Sequence, residues 1–214
     1  MNDFPMKTTL SAAALAAALA LSACSHTSEP NAEVLGAATQ KYLADRGDLC
    51  LGKSRWPIDV TQHDIDVGSR DARQMPALER LGLVASGVAE VDVDDEGTLH
   101  HMKVRRFDLT DAGRKFYIVH GTMNQGGKPV PAHDFCAAHL TLDKVVGWKL
   151  NGQGAQRQAV VSYTYQVEAA PWTQDSEIQQ VFPVVAGVVH GAGKAQLQET
   201  FQWRDPQWVA VDQL

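Results

Sequence analysis

The sequence predicts an α+β fold: a first half of helices and one long hairpin, then an antiparallel, curved β-sheet with a short helix packed against it. Three observations carry this prediction. Residues 32–46 place Val34, Leu35, Ala38, Tyr42 and Leu43 on one stripe at helical spacing. Residues 160–167 alternate Val161, Tyr163, Tyr165 and Val167 with Ser162, Thr164 and Gln166, the period of a strand with one wet face. Residues 196–204 repeat that alternation, with Leu197, Phe201 and Trp203 inward and Gln198, Thr200 and Gln202 outward.

Taken in order, the chain opens on a segment with an export pattern. Lys7 supplies a positive start, and residues 10–21 are an unbroken run of Ala and Leu apart from Ser11. Asp3 is an unfavourable charge in such a start, and Met6-Lys7 begins a better one. The run falls short of the roughly 20 apolar residues that span a bilayer, so residues 1–23 read as a signal peptide. It ends in Leu21-Ser22-Ala23-Cys24, which resembles the lipobox of bacterial lipoproteins. That resemblance implies cleavage before Cys24 and lipid, with palmitate-type acyl chains, on its thiol. An ordinary secretory signal ending in Ser22-Ala23, with Cys24 incidental, is the alternative. Ser25 after the cysteine implies, by the same family's sorting rule, an outer-membrane destination facing the periplasm. Residues 24–32 are polar and read as the lipidated tether.

The predicted first helix of the folded part runs over residues 32–46 and is closed by Gly47. Leu49-Cys50-Leu51 and Trp56-Pro57-Ile58 are too short and punctuated for helix and read as extended. A short turn of helix begins near Asp64. Ser69 caps a second helix over 70–81, which Pro76 is expected to kink or break. Gly82 ends it in a left-handed cap. Two alternating strands follow, joined by the Asp-Glu-Gly turn at 95–97, and Thr110 caps a last short helix. Residues 78–84, the charged turn at 92–97 and Phe107-Asp108-Leu109-Thr110-Asp111-Ala112-Gly113-Arg114 resemble the helix, wing and closing Leu-Thr-x-x-Gly of winged-helix domains. The resemblance implies a winged-helix-like α+β domain over 33–121. It does not imply DNA binding, because Asp92, Asp94, Asp95 and Glu96 on the wing repel phosphate and the net charge is −6.

Residues 122–131, with Gly126 and Gly127, read as the loop joining the halves. From Phe116 the chain becomes strand-rich: a strand at 116–119, then, in the second domain, 132–214, strands at 135–148, a pair broken near Asp143-Lys144, and at 160–167, 196–204 and 208–211. Asp175 caps a short helix carrying Ile178, Val181 and Phe182 and stopped by Pro183. Gly187, Gly191 and Gly193 look like hairpin or loop residues.

With Cys24 assigned to lipid, Cys50 and Cys136 remain as an even pair in an oxidising compartment, and a disulfide is the default. Two buried free thiols are the alternative. The ordered set of lipobox, Asp48-Leu49-Cys50, residues 76–84, Leu109-Thr110-x-x-Gly113, Asp134-Phe135-Cys136 and Val145-Val146-Gly147-Trp148 resembles a family of uncharacterised bacterial lipoproteins. This implies an envelope address and no particular activity. Ala137 and Ala138 stand where that pattern has an aromatic residue and a glycine.

The densest chemistry is His133-Asp134-Phe135-Cys136-Ala137-Ala138-His139. His133, Cys136 and His139 are weak candidates for metal ligands or a thiol centre. On a strand, though, His133 and His139 point away from Asp134 and Cys136, which opposes convergence. His100-His101 sends its rings to opposite faces and reads as solvated surface. Neither a Gly-x-Ser-x-Gly elbow nor a Gly-x-x-x-x-Gly-Lys loop is present. Trp56, Trp148, Trp172, Trp203 and Trp208 are candidates for an apolar groove, with the core as their commoner destination. The expected function is a non-catalytic, cofactor-free binding or interaction module. Its expected partners are the bilayer, through the Cys24 lipid, and an envelope protein or small ligand, not nucleic acid. A metal- or thiol-dependent enzyme and a structural part of an envelope assembly are the alternatives.

Overall fold

Helix α1 (Ala32–Arg46) forms where the apolar spacing places it, with Asn31 Oδ1 accepting from the Val34 N–H at 2.8 Å. Leu35, Thr39 and Leu43 lie four residues apart on the buried face. Thr39 is tolerated there because its hydroxyl donates to Leu35 O at 2.8 Å. Gly47 closes the helix with a right-handed φ of −75°. Its role is therefore close approach: a Cβ there would lie 2.4 Å from both Leu43 O and Leu140 O.

The computed structural model describes residues 29–95, 98–123 and 129–214; Cys24 and the signal segment lie outside these, as do Glu96, Gly97, Gly126 and Gly127. After α1 come β1 (Asp48–Cys50), β2 (Ile58–Val60), α2 (Gln62–Asp66), α3 (Arg70–Arg80), β3 (Val84–Asp95), β4 (Thr98–Leu109), α4 (Asp111–Arg114), β5 (Tyr117–Met123) and β6 (Pro129–Asn151). The chain continues through β7 (Gln158–Ala169), α5 (Ser176–Val181), α6 (Pro183–Gly191), β8 (Gln196–Arg204) and β9 (Gln207–Ala210). A six-stranded antiparallel sheet has the order β1-β6-β7-β8-β9, with β5 also on β6, and a three-stranded sheet has the order β2-β4-β3. No helix of the described residues is long and apolar enough to cross a membrane.

This corrects the predicted fold class. The protein is mostly β, built on one large curled antiparallel sheet, and an α+β fold with a winged-helix-like first half is not what forms. The reason lies in where the first half spends its apolar surface. Leu35 of α1 packs with Val161, Phe201 and Trp208, and Leu43 packs with Leu140, Tyr163 and Tyr165, so the first helix belongs to the large sheet. Strands β1 and β5 pair with β6 and join that sheet as well. The expected joining loop is also different: Thr122 pairs with Val130 and Met123 with Pro129, the outer end of a β5–β6 hairpin.

Helix α3 starts at Ser69, whose Oγ accepts from the Ala72 N–H at 3.3 Å. It runs through Pro76 without a break, because Gln74, Met75, Ala77 and Leu78 on either side are buried and hold it against the core. It ends on Gly82 at φ +71°, with Leu83 N–H donating to Leu78 O and Gly82 N–H to Glu79 O. The Thr110-x-x-Gly113 motif locks this end in place. Thr110 Oγ1 accepts from the Gly113 N–H and donates to Gly82 O at 2.6 Å, and a Cβ on Gly113 would lie 1.9 Å from Leu83 O.

Two further expectations change. The break near Asp143-Lys144 is a pair of bulges in one 23-residue strand, β6, with shifts at Leu142/Lys144 and Val145/Gly147. The bulged Asp143 carboxylate accepts from Thr164 Oγ1 at 2.7 Å and Gln166 Nε2 at 3.1 Å, which holds it below the usual carboxylate range. Pro183 ends α5 but also begins α6, where its missing N–H would have no partner anyway. Gly187 and Gly191 are thus helical, and Gly193 alone of the three takes a positive φ, +72°.

Candidate functional site

The cysteines are joined: Cys50 and Cys136 form a disulfide. They meet because β1 runs antiparallel to β6 with Asp48 opposite His139, Leu49 opposite Ala138 and, after a register shift, Cys50 opposite Cys136. The turn after β1 is fastened to the same strand. Asp134, almost fully buried, accepts from the backbone N–H groups of Gly52 at 3.1 Å, Lys53 at 2.6 Å and Phe135 at 2.7 Å. Lys53, also buried, then reaches α3 and pairs with Asp71.

The other members of the His133–His139 run go separate ways. The His133 ring stacks on Tyr117 with centroids 5.2 Å apart, and His139 Nδ1 lies 2.8 Å from Asp48 Oδ1. Cys136, bonded to Cys50, offers no thiol. Among the described residues no three His, Cys, Asp or Glu side chains converge as a metal site. His101 is exposed and sits 2.5 Å from Asp92, while the side chain of His100 lies outside the described residues. The tryptophans do not share one groove. Trp56 and Trp172 pack near Phe135, Trp203 and Trp208 near α1, and Trp148 is partly exposed on β6.

A different place gathers binding features: a cleft of about 670 Å³ between β1, α3 and the link from α5 to α6. Leu49, Leu51, Val181, Phe182 and Val185 give it an apolar floor, and the Cys50 end of the disulfide lines it. Arg70, Arg73 and Gln74 enter from one face of α3 at i, i+3 and i+4. Across from α3, Asp175 caps α5, the helix that brings Val181 to the cleft. Its carboxylate accepts from Glu177 N–H and Ile178 N–H, and together with Arg80 these bonds hold it below the usual range. Gln74 then ties α3 to the end of α5, its Nε2 donating to Val181 O at 3.0 Å. Because a carbonyl only accepts, the amide orientation is fixed, and Gln74 Oε1 is left buried with no partner among the described residues.

The charge at the mouth is opposite in sign to the chain. Among the described residues no carboxylate lines the cleft, and the nearby acids are engaged elsewhere: Asp71 with Lys53, and Asp175 and Glu177 with Arg80. Arg70 and Arg73 are exposed and make no ion pair among the described residues. Nothing in the sequence alone singles out these arginines, because one helix face acquires meaning only when Leu49, Leu51 and α6 are brought against it. Comparison with protein-family models, with curated proteins and with solved structures finds no match for this chain.

Proposed function

We propose that this protein is a bacterial envelope lipoprotein, held on the outer membrane by lipid on Cys24 and facing the periplasm, that acts as a non-catalytic binding module. The observation that carries the binding reading is the cleft between β1, α3 and the α5–α6 link, whose volume lies in the range of small-molecule sites, about 300–1,000 Å³. Its lining supports binding rather than chemistry, with an apolar floor and two cations at the rim. The envelope address is supported by the Leu21-Ser22-Ala23-Cys24 sequence and by the Cys50–Cys136 disulfide, a bond that persists in oxidising compartments.

Two measurements test the two parts. Cys24→Ser should move the protein from the membrane fraction to the soluble envelope fraction with its fold unchanged; continued membrane attachment overturns the lipoprotein reading. On the full-length Cys24→Ser chain, titration with the neutral apolar probe N-phenyl-1-naphthylamine should shift backbone amide resonances at 49–51, 70–74 and 180–185 together. No saturable binding, or shifts centred elsewhere, overturns the cleft as the ligand site.

A further inference from the structure

We propose that the cleft takes an aliphatic carboxylate, a single unbranched chain whose head lies between Arg70 and Arg73 and whose tail lies along Leu49, Leu51, Val181 and Val185. The inference rests on the cleft being the ligand site and adds the ligand's class.

Charge complementarity is the first reason. The chain carries a net charge of −6, yet the lining of this cleft holds two guanidiniums and, among the described residues, no carboxylate. A lone exposed arginine is ordinary, but two at one mouth, each without an ion pair among the described residues while the neighbouring acids are engaged, leave a local positive field. Their i, i+3 spacing on α3 sets them side by side, about 5–6 Å apart at Cβ. Two planar forks at that separation match the two oxygens of one carboxylate.

The floor is the second reason. Beyond the arginines the floor is apolar, Leu49, Leu51, Val181, Phe182 and Val185, with Gln74 and Gln180 as the amides of the lining, and Val184 at the rim is 72% exposed. A hydrocarbon tail removes this surface from water, whereas a sugar or a nucleotide, with Gln74 and Gln180 as the two amides of the lining, would leave most of its hydroxyls facing apolar side chains. Head and tail follow from one direction of the cleft, cations at the α3 rim and apolar groups on the side of β1 and the α5–α6 link.

The test uses displacement of N-phenyl-1-naphthylamine from the full-length Cys24→Ser chain. Dodecanoate should displace the probe at about tenfold lower concentration than dodecan-1-ol, the gain expected of two charge-assisted contacts at an exposed site. Decanoate should be weaker than dodecanoate by about fourfold for each methylene lost. The double variant Arg70→Gln/Arg73→Gln should abolish the preference for the acid over the alcohol, and Val184→Glu should weaken dodecanoate more than dodecan-1-ol. All three positions are exposed, so thermal unfolding should show the wild-type midpoint. If the probe binds but dodecanoate gains nothing over the alcohol, if dodecyl phosphate is preferred, or if the double variant binds dodecanoate unchanged, the carboxylate assignment falls while the cleft remains a ligand site. If the probe does not bind, the site itself falls. A concentration-dependent dimer that Val184→Glu dissociates would overturn the proposal by making a second copy the occupant.

Discussion

Two parts of the core are closed in different ways. Under α1 a single continuous helix covers the large sheet, with Leu35 against Val161, Phe201 and Trp208, and Leu43 against Leu140, Tyr163 and Tyr165. Around Phe135 the cover is assembled from pieces: Leu51 after β1, Met75 and Leu78 from α3, Phe107 from β4, Trp172 before α5, and Phe182 and Val185 at the α5–α6 link. One helix presents unbroken ridges to the surface it covers. Several short elements meeting at angles leave a joint, and the cleft is that joint. Among the described residues, Trp56 Nε1, Gln74 Oε1 and Trp172 Nε1 are buried without hydrogen-bond partners on the assembled side, and Trp208 Nε1 is so on the α1 side. Continuous packing leaves the sheet covered, and assembled packing leaves a cleft.

The disulfide offers the strongest way to test how far the assembled side depends on long-range ties. Closing an 86-residue separation restricts the unfolded chain by about 4–5 kcal/mol in the loop-entropy model, so Cys50→Ser/Cys136→Ser should lose that much in urea unfolding. Next comes Phe135→Ala, which removes a ring in contact with Trp56, Phe116 and Trp172. It should cost about 3–5 kcal/mol and shift amides around the cleft, whereas Leu35→Ala, at about 2–5 kcal/mol, should leave them in place. Equal disturbance of the cleft by both would show that the two regions are not separable. Glycine contacts provide a finer comparison. Gly113→Ala drives a methyl into Leu83 O and Gly47→Ala drives one into Leu140 O, each costing about 1–3 kcal/mol by calorimetry.

Titration should give the smallest effects, with opposite signs on the two sides. Burial, then Glu199, pushes the Tyr163 hydroxyl up from 10.0 to about 12, and the same causes push Tyr42 up. A raised acid is held neutral in the fold, so its contribution is full below pH 10 and falls as the pH rises towards 12. Alkali should therefore loosen the α1 side first, and Tyr42→Phe/Tyr163→Phe should blunt that loss. On the assembled side the Ser86 hydroxyl and the Arg105 guanidinium hold Glu79 below its ordinary value, and backbone donors do the same for Asp175. These contributions are present above the ordinary carboxylate range and disappear as the pH falls through the lowered values. Thermal midpoints of wild type and Glu79→Gln against pH should converge in acid.

Much of the local structure was legible because its causes are local. Ser69, Thr110 and Asp175 cap the helices that follow them, Gly82 ends α3 with a positive φ, and the alternation over 160–167 and 196–204 marks β7 and β8. The partner of Cys50 followed from parity once Cys24 was set aside, and the disulfide is present. The failures are equally specific. Helix α6, Pro-Val-Val-Ala-Gly-Val-Val-His-Gly, has no polar stripe to announce it, and Asp143-Lys144 reads as a break between two strands, whereas Thr164 and Gln166 on the neighbouring strand donate to the Asp143 carboxylate at a bulge in one strand. Nothing within residues 32–46 tells α1 which surface to cover, since a stripe of Leu35 and Leu43 suits any apolar face; the large sheet offered one, and the expected first-half domain lost its helix. The cleft was hidden for the same reason. Capping and alternation are settled between residues a few positions apart, whereas Arg70, Leu49 and Val185 become neighbours only when tertiary packing brings three distant segments together.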